Sequence, residues 1–196
     1  MAAALTERTA HDGLNEELVR ACQGRSAEAQ RELYECYKRQ VHSLAIYMVG
    51  DPGMAEDLTQ EIFLKVFRDI HSFRFESNFS SWLYRVATNT CLNALRNRRS
   101  RHEVDIDAVA ETPILDSGSS LDQQRMDQQV RQAVEQAILT LKPALRAVVV
   151  LRYIENLSYN EIAEVLSCSV GTVASRLSRA HRLLAVRLRS WQGMVL

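Results

Sequence analysis

Glycine and proline are scarce in this chain, seven and three among 196 residues. An all-β fold depends on both at its many turns, so the shortage argues against one. No apolar run approaches the roughly 18 residues that a membrane span requires. The first ten residues, Met1–Ala10, lack the apolar core of a signal peptide. These absences point to a cytoplasmic protein with no membrane insertion of its own. No pair among Cys22, Cys36, Cys91 and Cys168 has CxxC spacing, and no histidine stands at ligand distance from a cysteine along a helix. The thiols are therefore read as reduced and mostly buried, with no metal and no cofactor. A glycine-rich phosphate loop and a placed nucleophile–base pair are also missing, so an enzyme has little to stand on.

What is abundant is helix-forming sequence. Long stretches rich in Ala, Leu, Arg, Glu and Gln favour an all-α fold. The formal net charge of zero conceals strong segregation. Acids dominate up to Gln60, whereas from Arg85 to Arg101 there are only arginines among the charged residues. Between His102 and Gln128 the balance turns acidic again, and after Glu164 no acid appears while Arg176, Arg179, Arg182, Arg187 and Arg189 follow. Two basic segments on a neutral chain suit two separate contacts with a polyanion.

Helical periodicity predicts a short helix over Glu16–Cys22 and a longer one from an N-cap at Ser26 to about Val49. Asp51-Pro52 reads as N-cap and first helical position of a third, ending near Ile70, with Leu58, Ile62, Phe67, Ile70 and the stem of Lys65 inward. His71–Asn78 lacks the period and reads as a loop. Helix returns from Phe79 to about Arg99, with Trp82, Val86, Leu92 and Leu95 as candidate core. From Ser100 to Ser120 acids, Pro113 and a Ser/Gly run leave nothing to bury, as in a flexible acidic linker. The expected organisation is two small helical domains, 1–99 and 121–196, joined by a linker at 100–120. Four helices are predicted after it: Leu121–Thr140, Pro143–Glu155, Ser158–Ser167 and Ser169–Arg189. Their core would draw on Val134, Ile138, Leu145, Val149, Ile162, Leu166, Val173 and Leu177.

The last two of these helices form a helix-turn-helix. Ser158 and Glu161 have capping-box spacing, and Ser169 is placed to cap the second helix after the turn Ser167-Cys168-Ser169. Val170, Val173 and Leu177 would point inward, leaving Gly171, Thr172, Ala174, Ser175, Arg176, Ser178 and Arg179 outward. A recognition helix needs small or hydrogen-bonding residues in its first turns to enter the major groove, then cations for phosphates. Both are present in that order. An ordinary helical hairpin with a solvated basic face would share the spacing.

Leu157–Arg182, LSYNEIAEVLSCSVGTVASRLSRAHR, resembles region 4.2 of bacterial RNA polymerase sigma factors, most closely the extracytoplasmic-function group. Gly50–Arg68, GDPGMAEDLTQEIFLKVFR, resembles region 2.2, and Phe73–Arg96, FRFESNFSSWLYRVATNTCLNALR, resembles regions 2.3 and 2.4. The resemblance implies a non-enzymatic subunit that gives core RNA polymerase promoter recognition and melting. It places Asp57, Gln60, Glu61 and Leu64 on the β′ clamp helices, with the β subunit as a further contact. It assigns the −35 element, as duplex, to Ser169, Thr172, Ala174, Ser175, Arg176 and Arg179. It assigns the melted −10 strand to Arg74, Ser77, Asn78, Phe79, Trp82, Arg85, Asn89, Asn93 and Arg96, which supply aromatic, polar and cationic groups suited to single-stranded DNA. Phe79 and Trp82 are read equally well as core. An anti-sigma factor is the implied regulator. Departures from the family pattern are Phe75 where glycine is common, Ala174 where a cation is frequent, and His181 where arginine is common. A free-standing helix-turn-helix regulator is the competing reading.

Overall fold

The computed structural model describes residues 16–102 and 121–192, all of whose regular elements are helical. The expected linker lies almost wholly outside the described residues, as do the ends of the chain. Helix α1 covers 16–23. It is followed by α2 (Ala27–Val49), α3 (Pro52–Asp69) and, after a 3₁₀ turn at Ile70–Ser72 and the 73–78 loop, α4 (Phe79–His102). The second half contains α5 (Leu121–Leu139), α6 (Pro143–Val149), α7 (Tyr159–Val165) and α8 (Val170–Gln192).

Helix starts follow local chemistry. Ser26 Oγ accepts the Ala29 amide at 3.3 Å, and Asp51 Oδ1 accepts that of Met54 at 2.8 Å, each satisfying an orphan N–H of a first turn. Gly50 ends α2 in the left-handed region, at φ 74°. A β-carbon there would also lie 2.8 Å from the Leu139 side chain. The predicted Pro143–Glu155 helix divides: α6 stops at Val149 and Val150–Ile154 is π-helical. The bulge is rare geometry, and it aims Glu155, its C-terminal flank, toward α4.

Buried stripes differ in detail from the periodic expectation. Leu58, Ile62 and Ile70 are buried as predicted, and Phe67 packs at the margin. Along α4 the stripe is shifted: Leu83, Tyr84, Ala87, Thr88 and Cys91 are buried, while Trp82, Val86, Leu92 and Leu95 lie half-buried beside them. On α5 Ala133, Ala137 and Ile138 face the core and Val134 is exposed. Leu166 is only partly buried, and Val170, expected inside, is exposed at 42%. On α5 small residues, Ala133 and Ala137, take buried positions while the bulkier Val134 stays outside. The four cysteines are free; Cys22 and Cys91 are buried, but Cys36 is exposed.

The two halves share one continuous buried core. Arg146, itself buried, reaches from α6 to the carbonyls of Met48 at the end of α2 and Leu139 at the end of α5, and to that of Leu141 at 3.2 Å. It caps two helix C-termini, where positive charge is favoured. Tyr47 Oη donates to Glu135 at 3.2 Å, and Tyr84 Oη donates to Glu155 at 2.6 Å.

Burial pushes the Glu155 carboxyl above its ordinary range, against the opposing hydrogen bond from Tyr84. A raised carboxyl pKa means that the folded state binds the proton more tightly than the unfolded chain. The associated stability is complete below the ordinary glutamate pKa and is lost as pH rises through the raised value. Glu155→Gln is therefore expected to remove this loss from denaturant-midpoint measurements across that range. An unchanged pH slope would contradict the assignment.

Candidate nucleic-acid interface

The helix-turn-helix is built as its sequence dictates. Glu161 N–H donates to Ser158 Oγ at 3.3 Å, and the Ser158 amide donates to Glu161 Oε2 at 2.7 Å, completing the capping box. The turn closes with the Cys168 amide on the Ala163 carbonyl at 3.0 Å and Ser167 in the left-handed region, at φ 48°. Glycine is the residue suited to that position. Ser167→Gly is expected to raise stability by about 0.5–1 kcal/mol, the relief of strain exceeding the added chain entropy. Thermal melts check this, and a lower midpoint would show that the serine side chain contributes more than its backbone costs.

Val173 and Leu177 are buried beneath α8, which fixes its outer face. Ala174, Ser175 and Arg179 are exposed, with Thr172 and Arg176 partly so. The Ser169 hydroxyl accepts the Thr172 amide at 3.1 Å and shares a 2.9 Å hydrogen bond with the Thr172 hydroxyl, so both residues act first in capping. Ser175 Oγ donates to the Thr172 carbonyl at 2.9 Å. His181, further along, lies 2.7 Å from the Tyr153 hydroxyl.

The second cluster surrounds the 73–78 loop. Arg74 and Asn78 are exposed and Ser77 is half-buried. Phe79 is 6% exposed and belongs to the core. Trp82 is half-buried, its ring packed against Phe73 and Phe79 at centroid distances of 5.7 and 5.6 Å. Of the two readings left open, burial places Phe79 in the core, whereas Trp82 keeps part of its surface open. Trp82, Arg85, Asn89, Asn93 and Arg96 follow helical spacing along one side of α4, with both asparagines and Arg96 exposed. Arg85 is half-buried, and its Nε has no hydrogen-bond partner among the described residues.

Phe75 occupies the left-handed region at φ 60°, an unusual conformation for a bulky residue. Its ring meets Phe73 edge-on at 4.9 Å and lies 4.3 Å beneath the Arg20 guanidinium. The loop thus takes a turn suited to glycine and holds it with ring contacts. Sequence periodicity gave Arg20 and Gln23 no part in this cluster, because it carries no sign of pairing across about fifty residues.

A third surface lies on α3, where Asp57, Gln60, Glu61 and Leu64 are all exposed. Leu64 is 72% exposed, and Lys65 Nζ contacts Glu61 at 2.5 Å. Among the described residues no group of three His, Cys, Asp or Glu side chains could hold a metal, and no helix is long and apolar enough to cross a membrane.

An exposed basic face on α8, a polar and aromatic loop and an acidic face on α3 are three distinct surfaces of one helical protein. The family comparisons narrow this class. Sigma-70 region 2 matches residues 33–101 and sigma-70 region 4 matches residues 131–184. The chain is 36% identical over 174 residues to the ECF RNA polymerase sigma-E factor of Escherichia coli K12, covering 85% of this chain and 90% of the relative. It is 32% identical over 168 residues to the ECF RNA polymerase sigma factor SigW of Bacillus subtilis 168, covering 83% and 90%. The chain belongs to the sigma-70 family of transcription initiation factors, in its extracytoplasmic-function group. The fold is also similar to that of the Bartonella quintana sigma factor RpoE solved with the anti-sigma factor NepR, with TM-score 0.63 and 24% identity over 81% of this chain and 96% of that one. CnrH, solved with the cytosolic domain of CnrY, gives TM-score 0.65 and 21% identity over 88% and 96%.

Proposed function

We propose that this protein binds core RNA polymerase and directs promoter-specific initiation without itself catalysing a reaction. Residues 1–99 form the domain that docks on polymerase and takes the −10 element, 100–120 the linker, and 121–196 the domain that takes the −35 element. Asp57, Gln60, Glu61 and Leu64 meet the β′ clamp helices, and the β subunit is a further contact. Thr172, Ala174, Ser175, Arg176 and Arg179 enter the −35 major groove, with Ser169 capping the helix that carries them. Arg74, Ser77, Asn78, Trp82, Arg85, Asn89, Asn93 and Arg96 hold the melted −10 strand, and Phe79 supports them from the core.

The observation that carries this reading is the pairing of two unlike exposed surfaces on one chain. The outer face of α8 is basic and polar over a locked apolar base. The α3 face is acidic around Leu64, an exposed apolar anchor. A DNA reader that worked alone would gain nothing from the second. The protein acts in the cytoplasm, where polymerase and promoter are. Control by an anti-sigma factor is supported by the B. quintana neighbour, a sigma factor solved with such a partner.

The −35 assignment is tested by Arg176→Ala in holoenzyme binding to a −35 duplex. Loss of one phosphate contact lowers the logarithmic salt slope by about 0.9 and weakens binding across sequences. Loss of a base contact instead relaxes preference at one position, by about 1–3 kcal/mol. Unchanged affinity and slope would remove Arg176 from the interface.

A further inference from the structure

Helix α1 has no part in the surfaces assigned above, yet two of its side chains, Arg20 and Gln23, converge on the 73–78 loop and its base. Val19 and Cys22 are fully buried and fix the helix on the core. Gln23 Nε2 then donates to the carbonyls of Ile70 and Phe73, both at 2.9 Å. Two carbonyls facing one amide require its NH₂ end, which has two hydrogens to give. Arg20 lies over the Phe75 ring, and Glu16, one turn earlier, holds the guanidinium at 2.6 Å. The far side of the loop base is closed by the Phe73, Phe79 and Trp82 rings.

These contacts share one geometric consequence. Gln23 fixes where the chain leaves the 3₁₀ turn, and the Arg20–Phe75 stack retains a left-handed residue that would otherwise relax to negative φ. Between and beyond those two fixed points lie Arg74, Ser77 and Asn78. We propose that α1 is a brace for the strand-capturing loop, with Gln23, Phe75 and Arg20 as positioning residues that preset Ser77 and Asn78 for the displaced −10 base. This rests on the −10 reading of the loop given above. Pre-organisation of this kind removes the ordering cost from the capture step. The brace therefore acts on strand opening and leaves docking on α3 untouched. Phe75 is a spacer in this arrangement: Arg20 covers one of its faces and Phe73 meets it edge-on.

The test uses holoenzyme and a promoter carrying 2-aminopurine at the base expected to flip, with polymerase affinity and −35 duplex binding measured in parallel. Gln23→Leu and Phe75→Ala are expected to slow the fluorescence rise at least fivefold while both parallel measurements stay at wild type. Phe75→Gly permits the left-handed turn without the ring, and should recover most of the rate lost in Phe75→Ala. That ordering separates a geometric role from simple loss of packing. Arg20→Ala, at an exposed position, folds regardless and should slow opening about two- to fivefold, the worth of an exposed cation–π contact. Wild-type opening rates in Gln23→Leu and Phe75→Ala would overturn the proposal, as would an equal loss of polymerase affinity in both. Asn78→Ala identifies which idea has failed. If it slows opening while the brace variants do not, only the brace falls; if it too opens normally, the −10 reading falls and takes the brace with it.

Discussion

Arg146→Met is expected to destabilise the protein by about 2–4 kcal/mol, which at this chain length lowers the melting midpoint by roughly 5–15 °C. The guanidinium is the shared partner of the Met48, Leu139 and Leu141 carbonyls. Methionine fills a comparable volume and supplies no donor, so three acceptors, two of them at helix ends, are left to find water or remain unpaired. Each unpaired buried group costs about 1–3 kcal/mol, and partial hydration holds the sum to the range given. Removing the cation also recovers part of its own desolvation cost, which shows in its pKa being pushed down to about 10. The Nε, without a hydrogen-bond partner among the described residues, adds to that cost. Arg146→Lys should fall between wild type and the methionine variant, because an ammonium on a flexible stem cannot span three carbonyls in a fork. Denaturant titration of both variants decides the matter. A loss below about 0.5 kcal/mol in Arg146→Met would mean that the carbonyls are satisfied without the arginine.

Reversing the chemistry of the α3 face should have the largest effect on function. The double substitution Asp57→Arg/Leu64→Arg removes an exposed apolar anchor and inverts the local charge, beside Gln60 and Glu61. A central apolar contact is worth about 2 kcal/mol at an interface, and a misplaced like charge adds to the penalty. Together they predict at least ~100-fold weaker binding to core polymerase, at 1.4 kcal/mol per factor of ten. Both positions are exposed, so the far-UV spectrum and melting midpoint should stay near wild type. Fluorescence anisotropy against core polymerase provides the measurement. Wild-type affinity would move the docking surface elsewhere on the molecule.

Local chemistry was the legible part of this fold. Ser26, Asp51 and Ser158 cap helices where their side chains said they would, since a cap is decided within four residues. The outer face of α8 was readable for the same reason, although Val170, at its first turn, is exposed. Which residue of an apolar group faces inward was harder to read. On α4 and α5 Ala87, Ala133 and Ala137 are among the buried residues, whereas size alone pointed to Trp82, Val86 and Val134. Long-range pairings left no trace in periodicity: Arg146 with Met48, Tyr84 with Glu155, and Gln23 with Phe73 are each local oddities until the chain is folded. The π-helical turn at Val150–Ile154 was hidden as well, because its residues, apolar but for Arg152, fit an ordinary α-helix equally well. Of the site, the polar residues of the loop and of α4 emerged exposed or half-buried, while the group that shapes the loop came from α1.

Under the proposed function, polymerase and this chain together read a promoter that neither reads alone. Run-off transcription on fragments of the source genome, with core polymerase in the presence and absence of the protein, tests it most directly. Discrete transcripts are expected that start downstream of a shared pair of −35 and −10 sequences and vanish with Asp57→Arg/Leu64→Arg. Absence of specific transcripts, together with tight binding to duplex DNA by the protein alone as a dimer, would contradict it and favour a free-standing helix-turn-helix regulator.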